Sequence, residues 1–297
     1  MYFNHFALRE PPFGLTPDTS FVFACTPHQE ALNTLLVAVA NGEGFMKITG
    51  EVGTGKTLLC RRFLAQLNSE YVSAYVPNPL LDPHGLLLAL AEELRLPVDR
   101  DAGQPALLKA LNLALLDHAR AGRRVVVCLD EAQAMPLETL ESLRLLSNLE
   151  TEKRKLFQVV LFGQPELDAK LSHPSVRQLQ QRISFQYRLG PLAGSEIEYY
   201  VAHRLRMAGY VGDRLFTRGA LRALFRASGG VPRLVNVMSH KAMLAAFGEG
   251  RHYVSARHIK QAASDTPAAR VSRPTLIWGG AVFAFLAASA LLWYLVR

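Results

Sequence analysis

The chain lacks what a secreted, cross-linked domain needs. Its three cysteines, Cys25, Cys60 and Cys128, stand far apart, are odd in number and form no CxxC pair. That excludes a disulfide framework and the thiolate spacing of a zinc site. Cys60 and Cys128 fall within apolar runs, where a thiol behaves as a small hydrophobe, so a reducing compartment is expected. The N-terminus, MYFNHFALREPPFG, has no apolar stretch long enough for a signal-peptide core. Internal repeats are missing, and a hydrophobic content of 49% carries no bias toward disorder or collagen. Acidic residues are the minority, 25 against 33 lysines and arginines, for a formal charge of +8. That excess fits a solvated basic surface, contact with acidic lipid or contact with nucleic acid, and does not by itself choose among them.

Long apolar runs are absent too, with one exception. Thr275 to Val296 reads TLIWGGAVFAFLAASALLWYLV without a charge, enough to cross a bilayer as a helix. Trp278 lies near one end and Trp293 and Tyr294 near the other, where aromatic rings favour the interface. Arg270 and Arg273 precede the run and Arg297 follows it. The positive-inside tendency therefore sets the main body in the cytoplasm, with no soluble domain expected beyond the span. The alternative is a buried core helix.

Between the two ends, apolar strands alternate with helical spacing. Residues 1–26 are loop-like, broken by Pro11, Pro12, Gly14 and Pro17. Helices are predicted over Pro27–Asn41, Lys56–Leu67, Gly85–Leu94, Pro105–Ala121 and Leu137–Leu149, with a shorter stretch near Leu167–Leu179. Strands are predicted at Phe45–Thr49, Tyr71–Val76, Val125–Leu129, Phe157–Phe162 and Ile183–Leu189. This order gives an α/β domain over 27–191, a doubly wound parallel five-stranded sheet. After Gly190 and Pro191 the strands stop. Ser195–Met207, Arg218–Ala227, Pro232–Phe247 and Ala256–Ala263 read as a small all-helical second domain over 192–264, followed by a linker, 265–274.

Gly50-Glu51-Val52-Gly53-Thr54-Gly55-Lys56-Thr57 matches GxxxxGK[ST] in full, between an apolar strand and a helix. Glycines let backbone N–H groups turn inward on phosphate oxygens, and the helix start, through Leu58, adds a favourable dipole. Lys56 would reach the β- and γ-phosphates and Thr57 would hold Mg2+. Strand Val125–Leu129 ends in Asp130-Glu131, at the sheet edge where doubly wound folds bind ligands. Asp130 would act on the metal through its water shell and Glu131 would polarise the attacking water; the alternative is an acidic helix cap. Gln164, after the next strand, stands either between Asp130 and the γ-phosphate or in an ordinary turn before Pro165. Arg177 and Arg182 precede the last strand. Arg233 lies in the first turn of a helix of the second domain, where a cation is disfavoured unless an anion faces it.

In this order the elements resemble the AAA+ ATPases. More narrowly, PFGLTPD (Pro12–Asp18), ITGEVGTGKT (Ile48–Thr57), LDEAQ (Leu129–Gln133), FGQPEL (Phe162–Leu167) and GGVPRLVN (Gly229–Asn236) resemble the ExeA family, whose members serve secretion and type IV pilus systems. The resemblance implies ATP and Mg2+ as cofactors, Gln164 as the sensor of the first domain and Arg233 as the lid sensor. It implies Arg182 as an arginine finger given to a neighbouring subunit, with Arg177 the alternative, and hence a homo-oligomer such as a ring. Residues 1–26 would lie near the nucleotide, with the PFGLTPD segment near the adenine. The setting implied is a bacterial inner membrane, with secretion or pilus-assembly partners. Larger family members carry a periplasmic peptidoglycan-binding domain for which this sequence has no counterpart. A DNA-binding ATPase of the transposition-helper type is the second reading. No recognition helix supports it, and nucleic acid is not the expected partner.

Overall fold

The computed structural model describes residues 2–15, 21, 23, 25–146, 150–151 and 154–269. The expected span over 275–296 lies outside the described residues, and the linker is described only to 269. Among the described residues no helix is long and apolar enough to cross a membrane.

Five strands form one parallel sheet: β1 (Phe45–Gly50), β2 (Tyr71–Val76), β3 (Arg124–Leu129), β6 (Phe157–Gly163) and β7 (Ile183–Leu189), in the order β2-β3-β6-β1-β7. A short antiparallel ribbon, β4 (Glu150–Thr151) with β5 (Arg154–Lys155), precedes β6. The alternation of side chains along a strand divides the core. Val125, Val127 and Leu129 face one layer with α3 (Pro83–Glu93), α4 (Gln104–Arg120) and α5 (Leu137–Leu146). Val126 and Cys128 face the other, where α1 (Thr26–Ala40) and α2 (Lys56–Gln66) bring Leu32, Leu35, Leu59 and Phe63 against Met46, Ile48 and Phe162. Each such large side chain contributes about 1.5–3 kcal/mol by leaving water.

Two boundaries differ from the sequence reading for local reasons. Helix α3 starts at Pro83 because Asp82 caps it, its carboxylate accepting from the Gly85 amide at 2.7 Å. The single stretch expected over Leu167–Leu179 is broken into α6 (Glu166–Leu171), a 3-10 turn at Pro174–Val176 and α7 (Arg177–Arg182). Pro174 has no N–H to continue α6.

The helices α8 (Glu196–Met207), α9 (Arg218–Ser228), α10 (Pro232–Gly248) and α11 (Ala256–Ser264) enclose a separate core. The N-terminal segment contributes to that core: Tyr2, Phe6, Leu8, Phe13 and Phe21 are buried with Val201, Leu224 and Met238. Arg204 of α8 fixes the segment, donating from Nε to the Pro12 carbonyl at 2.7 Å and from an Nη to the Gly14 carbonyl at 3.2 Å. Its guanidinium sits 4.8 Å from the Phe21 ring centroid.

Candidate active site

Strand β1 is buried along its whole length and delivers the chain, at Gly50, to a loop that ends where α2 begins. Gly53 (φ 83°) and Gly55 (φ 98°) both lie in the left-handed region. Space as well as dihedral requires glycine at these two positions. A Cβ at Gly53 would come within 2.5 Å of the Arg233 Cβ, and one at Gly55 within 2.7 Å of His28 Nε2. The glycine loop is thus packed from outside by the lid and by α1. Gly55 caps α2 without a side chain, so the first N–H groups of α2 have no partner within the helix. Lys56 is buried and donates from Nζ to the Gly50 carbonyl at 2.8 Å and the Glu51 carbonyl at 3.2 Å. Burial holds its pKa below the usual value, against the opposing pull of Glu131 and Asp130. Thr54 Oγ1 donates to the Glu51 carbonyl at 2.9 Å. Glu51 and Val52 are exposed at the turn, and Leu58 is half-buried.

Strand β3 sets Asp130 beside this loop. Its carboxylate is hydrogen-bonded by the Thr57 hydroxyl, by the Glu131 amide at 3.0 Å and by the Tyr75 hydroxyl at 3.4 Å. Burial raises the Asp130 pKa; the bonds from Thr57 and Glu131 only partly offset this. A hydroxyl and a carboxylate in contact, with a lysine close by, are the oxygen donors and counter-charge that a magnesium–triphosphate needs. The residues fit that group.

Glu131 adopts a left-handed backbone, φ 53° and ψ 38°, uncommon outside glycine. Its Oε2 accepts from Gln133 Nε2 at 2.6 Å and from Gln164 Nε2 at 3.1 Å. Burial would raise its pKa, but these two bonds and the Lys56 charge outweigh it and hold the carboxyl below its usual value.

Beside the loop lies a cavity lined by Phe21, Phe23, His28, Leu58, Tyr200 and Pro232, drawn from the N-terminal segment, α1, α2 and the lid. His28 bonds Cys25 Sγ through Nδ1 at 2.6 Å and the Thr54 backbone on its other side, and burial lowers its pKa. Tyr200 donates to Asn236 Oδ1 at 2.9 Å, and Asn236 Nδ2 donates to the Gly14 carbonyl at 3.4 Å.

A family model described as an AAA domain matches residues 39–171. General secretion pathway protein A of Aeromonas hydrophila is 45% identical over 270 residues, 91% of this chain. The chain belongs to the ExeA family of AAA+ ATPases. It spans about half of that relative's length, 49%. Among solved structures, the ORC2 protein of Aeropyrum pernix superposes with a TM-score of 0.60 at 18% identity, covering 85% of this chain and 72% of that one. CDC6P of Pyrobaculum aerophilum gives 0.61 at 18%, covering 84% and 70%. The RuvB branch-migration motor of Thermotoga maritima gives 0.52 at 16%, covering 80% and 68%. At these identities the likeness is one of fold.

In this ExeA-family chain Lys56, Thr57, Asp130, Glu131, Gln164 and Arg233 meet around one loop, Arg233 through its backbone N–H, which donates to the Gly53 carbonyl at 3.2 Å. Arg177 and Arg182 stand exposed on α7, and Arg182 Nη1 donates to the Arg144 carbonyl at 3.3 Å. Sequence reasoning missed Gln133 as a partner of Glu131, and missed the cavity residues His28 and Tyr200. The GxxxxGK[ST] pattern does not reach them, since they lie on other segments.

Proposed function

We propose that this chain binds and hydrolyses ATP with Mg2+ and, anchored to a bacterial inner membrane by residues 275–296, assembles or drives a type IV pilus or type II secretion-like complex. The observation carrying the hydrolytic part is the Glu131 carboxylate held by two side-chain amides, Gln133 at 2.6 Å and Gln164 at 3.1 Å, with Asp130 bonded to the Glu131 amide at 3.0 Å beside it. Mg2+ supplies charge neutralisation at the β- and γ-phosphates. Thr57 and Asp130 hold it, Lys56 holds the phosphates, and the amides of 53–58 cradle them. Glu131 takes the proton of the attacking water. Gln164 and Arg233 sense the γ-phosphate, and Arg182, or Arg177, is supplied to a neighbouring subunit. The cavity of Phe21, Phe23 and Tyr200 takes the base.

The membrane and secretion parts draw support from the uncharged terminal run and from the 45% identical relative. Phosphate release from Mg·ATP tests the chemistry. Lys56→Ala abolishes nucleotide binding, while Glu131→Gln keeps binding and loses about 10²–10⁴-fold in turnover. Wild-type hydrolysis by Glu131→Gln removes the assignment. Topology reporters in membrane fractions test the anchor.

One observation favours the second reading, a DNA-binding ATPase. Arg218, Arg222 and Arg226 form an exposed line on α9, and among the described residues none pairs with a carboxylate. Salt-dependent DNA affinity that falls on neutralising these three arginines would support it; no binding at low salt removes it.

A further inference from the structure

Gln133 is the residue whose surroundings the hydrolytic reading leaves unexplained. Its side-chain amide is engaged at both ends. The backbone N–H of Gln164 donates to Oε1 at 3.0 Å, and Nε2 donates to Glu131 Oε2 at 2.6 Å. The first bond decides the second: a backbone N–H only donates, so it requires the carbonyl end of the Gln133 amide and leaves the NH2 end toward Glu131. The backbone at Gln133 is fixed as well, since Lys170 Nζ bonds the carbonyls of Gln133 and Met135 at 2.6 Å each. The approach is close: a Cβ at Gly163 would stand 3.3 Å from Gln133 Oε1 and 2.7 Å from Leu167 Cδ2. Glu131 meanwhile holds a left-handed backbone, a conformation that persists where surrounding contacts over-determine it and that clusters at working sites.

We propose that Gln133 is a positioning residue: it fixes the place of the Glu131 carboxylate and ties it to the end of β6, so that Glu131 stands ready for the attacking water only when the β6 end is in place. Gln133 touches neither nucleotide nor water in this role and acts through Glu131. The inference rests on Glu131 being the water-activating group. It adds that the spacing Glu131-x-Gln133 is a functional unit, with Lys170 as its brace.

The test uses the full chain, with turnover, KM and nucleotide affinity measured on the same preparations. Gln133→Leu keeps the bulk and removes both hydrogen bonds. It is expected to lower kcat about tenfold to a hundredfold, the range for one bond to a charged group, and to leave KM and the affinity for a fluorescent ATP analogue within about twofold. In a Glu131→Gln background, Gln133→Leu is expected to lower the residual rate no further. Gln133→Glu keeps the acceptor for the Gln164 amide and removes the donor, and is expected to show the same split; it serves in place of Gln133→Leu should that variant not fold. Wild-type kcat in these variants overturns the inference. So does a loss shared equally by affinity, melting temperature and kcat, which marks a packing role. Should Glu131→Gln itself turn over normally, it is the hydrolytic assignment that fails, a result separable from both.

Discussion

The backbone amide of Arg233, in the first turn of α10, donates to the carbonyl of Gly53 in the glycine loop at 3.2 Å. One bond therefore joins the lid to the phosphate-binding loop, and the missing Cβ of Gly53 is what lets the Arg233 Cβ come so near.

Gly53→Ala sets a methyl group against that Cβ at a φ of 83°. The left-handed backbone alone costs an L-residue about 1–2 kcal/mol, and the lid must also move. We expect a lower melting temperature and nucleotide affinity weakened by about tenfold or more. Calorimetry and titration with a fluorescent analogue check this; unchanged affinity would show that the lid contact is dispensable.

Arg204 is buried and bonds two carbonyls of the N-terminal segment. Arg204→Met keeps an apolar stem and loses both bonds, each worth about 1.5–3 kcal/mol because the donor is charged. The expected result is a melting temperature lower by several degrees, faster proteolysis before α1, and weaker nucleotide binding through the loss of Phe21 and Phe23 from the cavity wall. Wild-type protease resistance in this variant counts against the bracing role.

His28 gives a pH dependence with a definite sign. Burial holds its pKa below the unfolded value of 6.5. As pH falls below 6.5 the unfolded chain binds a proton that the folded chain refuses, so stability drops toward the folded pKa and is unaffected above 6.5. His118 and His240 shift in the same direction. His28→Gln should lose less melting temperature between pH 7.5 and pH 5.5 than the parent. Equal losses would place the acid sensitivity elsewhere.

The assignment of Arg182 to a neighbour predicts complementation. Arg182→Ala alone and Glu131→Gln alone should each be inactive, an arginine supplied in trans being worth about 10³–10⁵ in rate. Mixed, they should recover part of the wild-type rate, since one subunit brings the intact site and the other the intact arginine. A mixture that stays inactive, with Arg177→Ala behaving the same way, points to a site complete within one chain.

The five strands and the glycine loop were legible because each is written in contiguous residues: an unbroken apolar run at Val125–Leu129, buried throughout, and Gly50–Thr57 between a strand and a helix. The cavity was legible only in part: Leu58 and the N-terminal segment were expected near the nucleotide, His28 and Tyr200 were not. Phe23, His28, Leu58, Tyr200 and Pro232 converge from four segments, and no local pattern records that convergence. Gln133 escaped for a similar reason. Its partners are Glu131, two residues away, and the Gln164 amide, thirty-one residues away, and the second contact exists only once β3 and β6 are paired. The break at Pro174 was visible as a residue but was overridden by the apolar spacing on either side.

Tyr2 donates to or accepts from His240 Nδ1 at 2.8 Å across 238 residues of chain. During synthesis the aromatic residues of the first segment must therefore wait, exposed, until α10 has been made. Such long-range closure is slow because its entropic cost falls due before any contact forms. The lid core therefore closes late, and the N-terminal wall of the cavity, carried by the same segment, is completed with it.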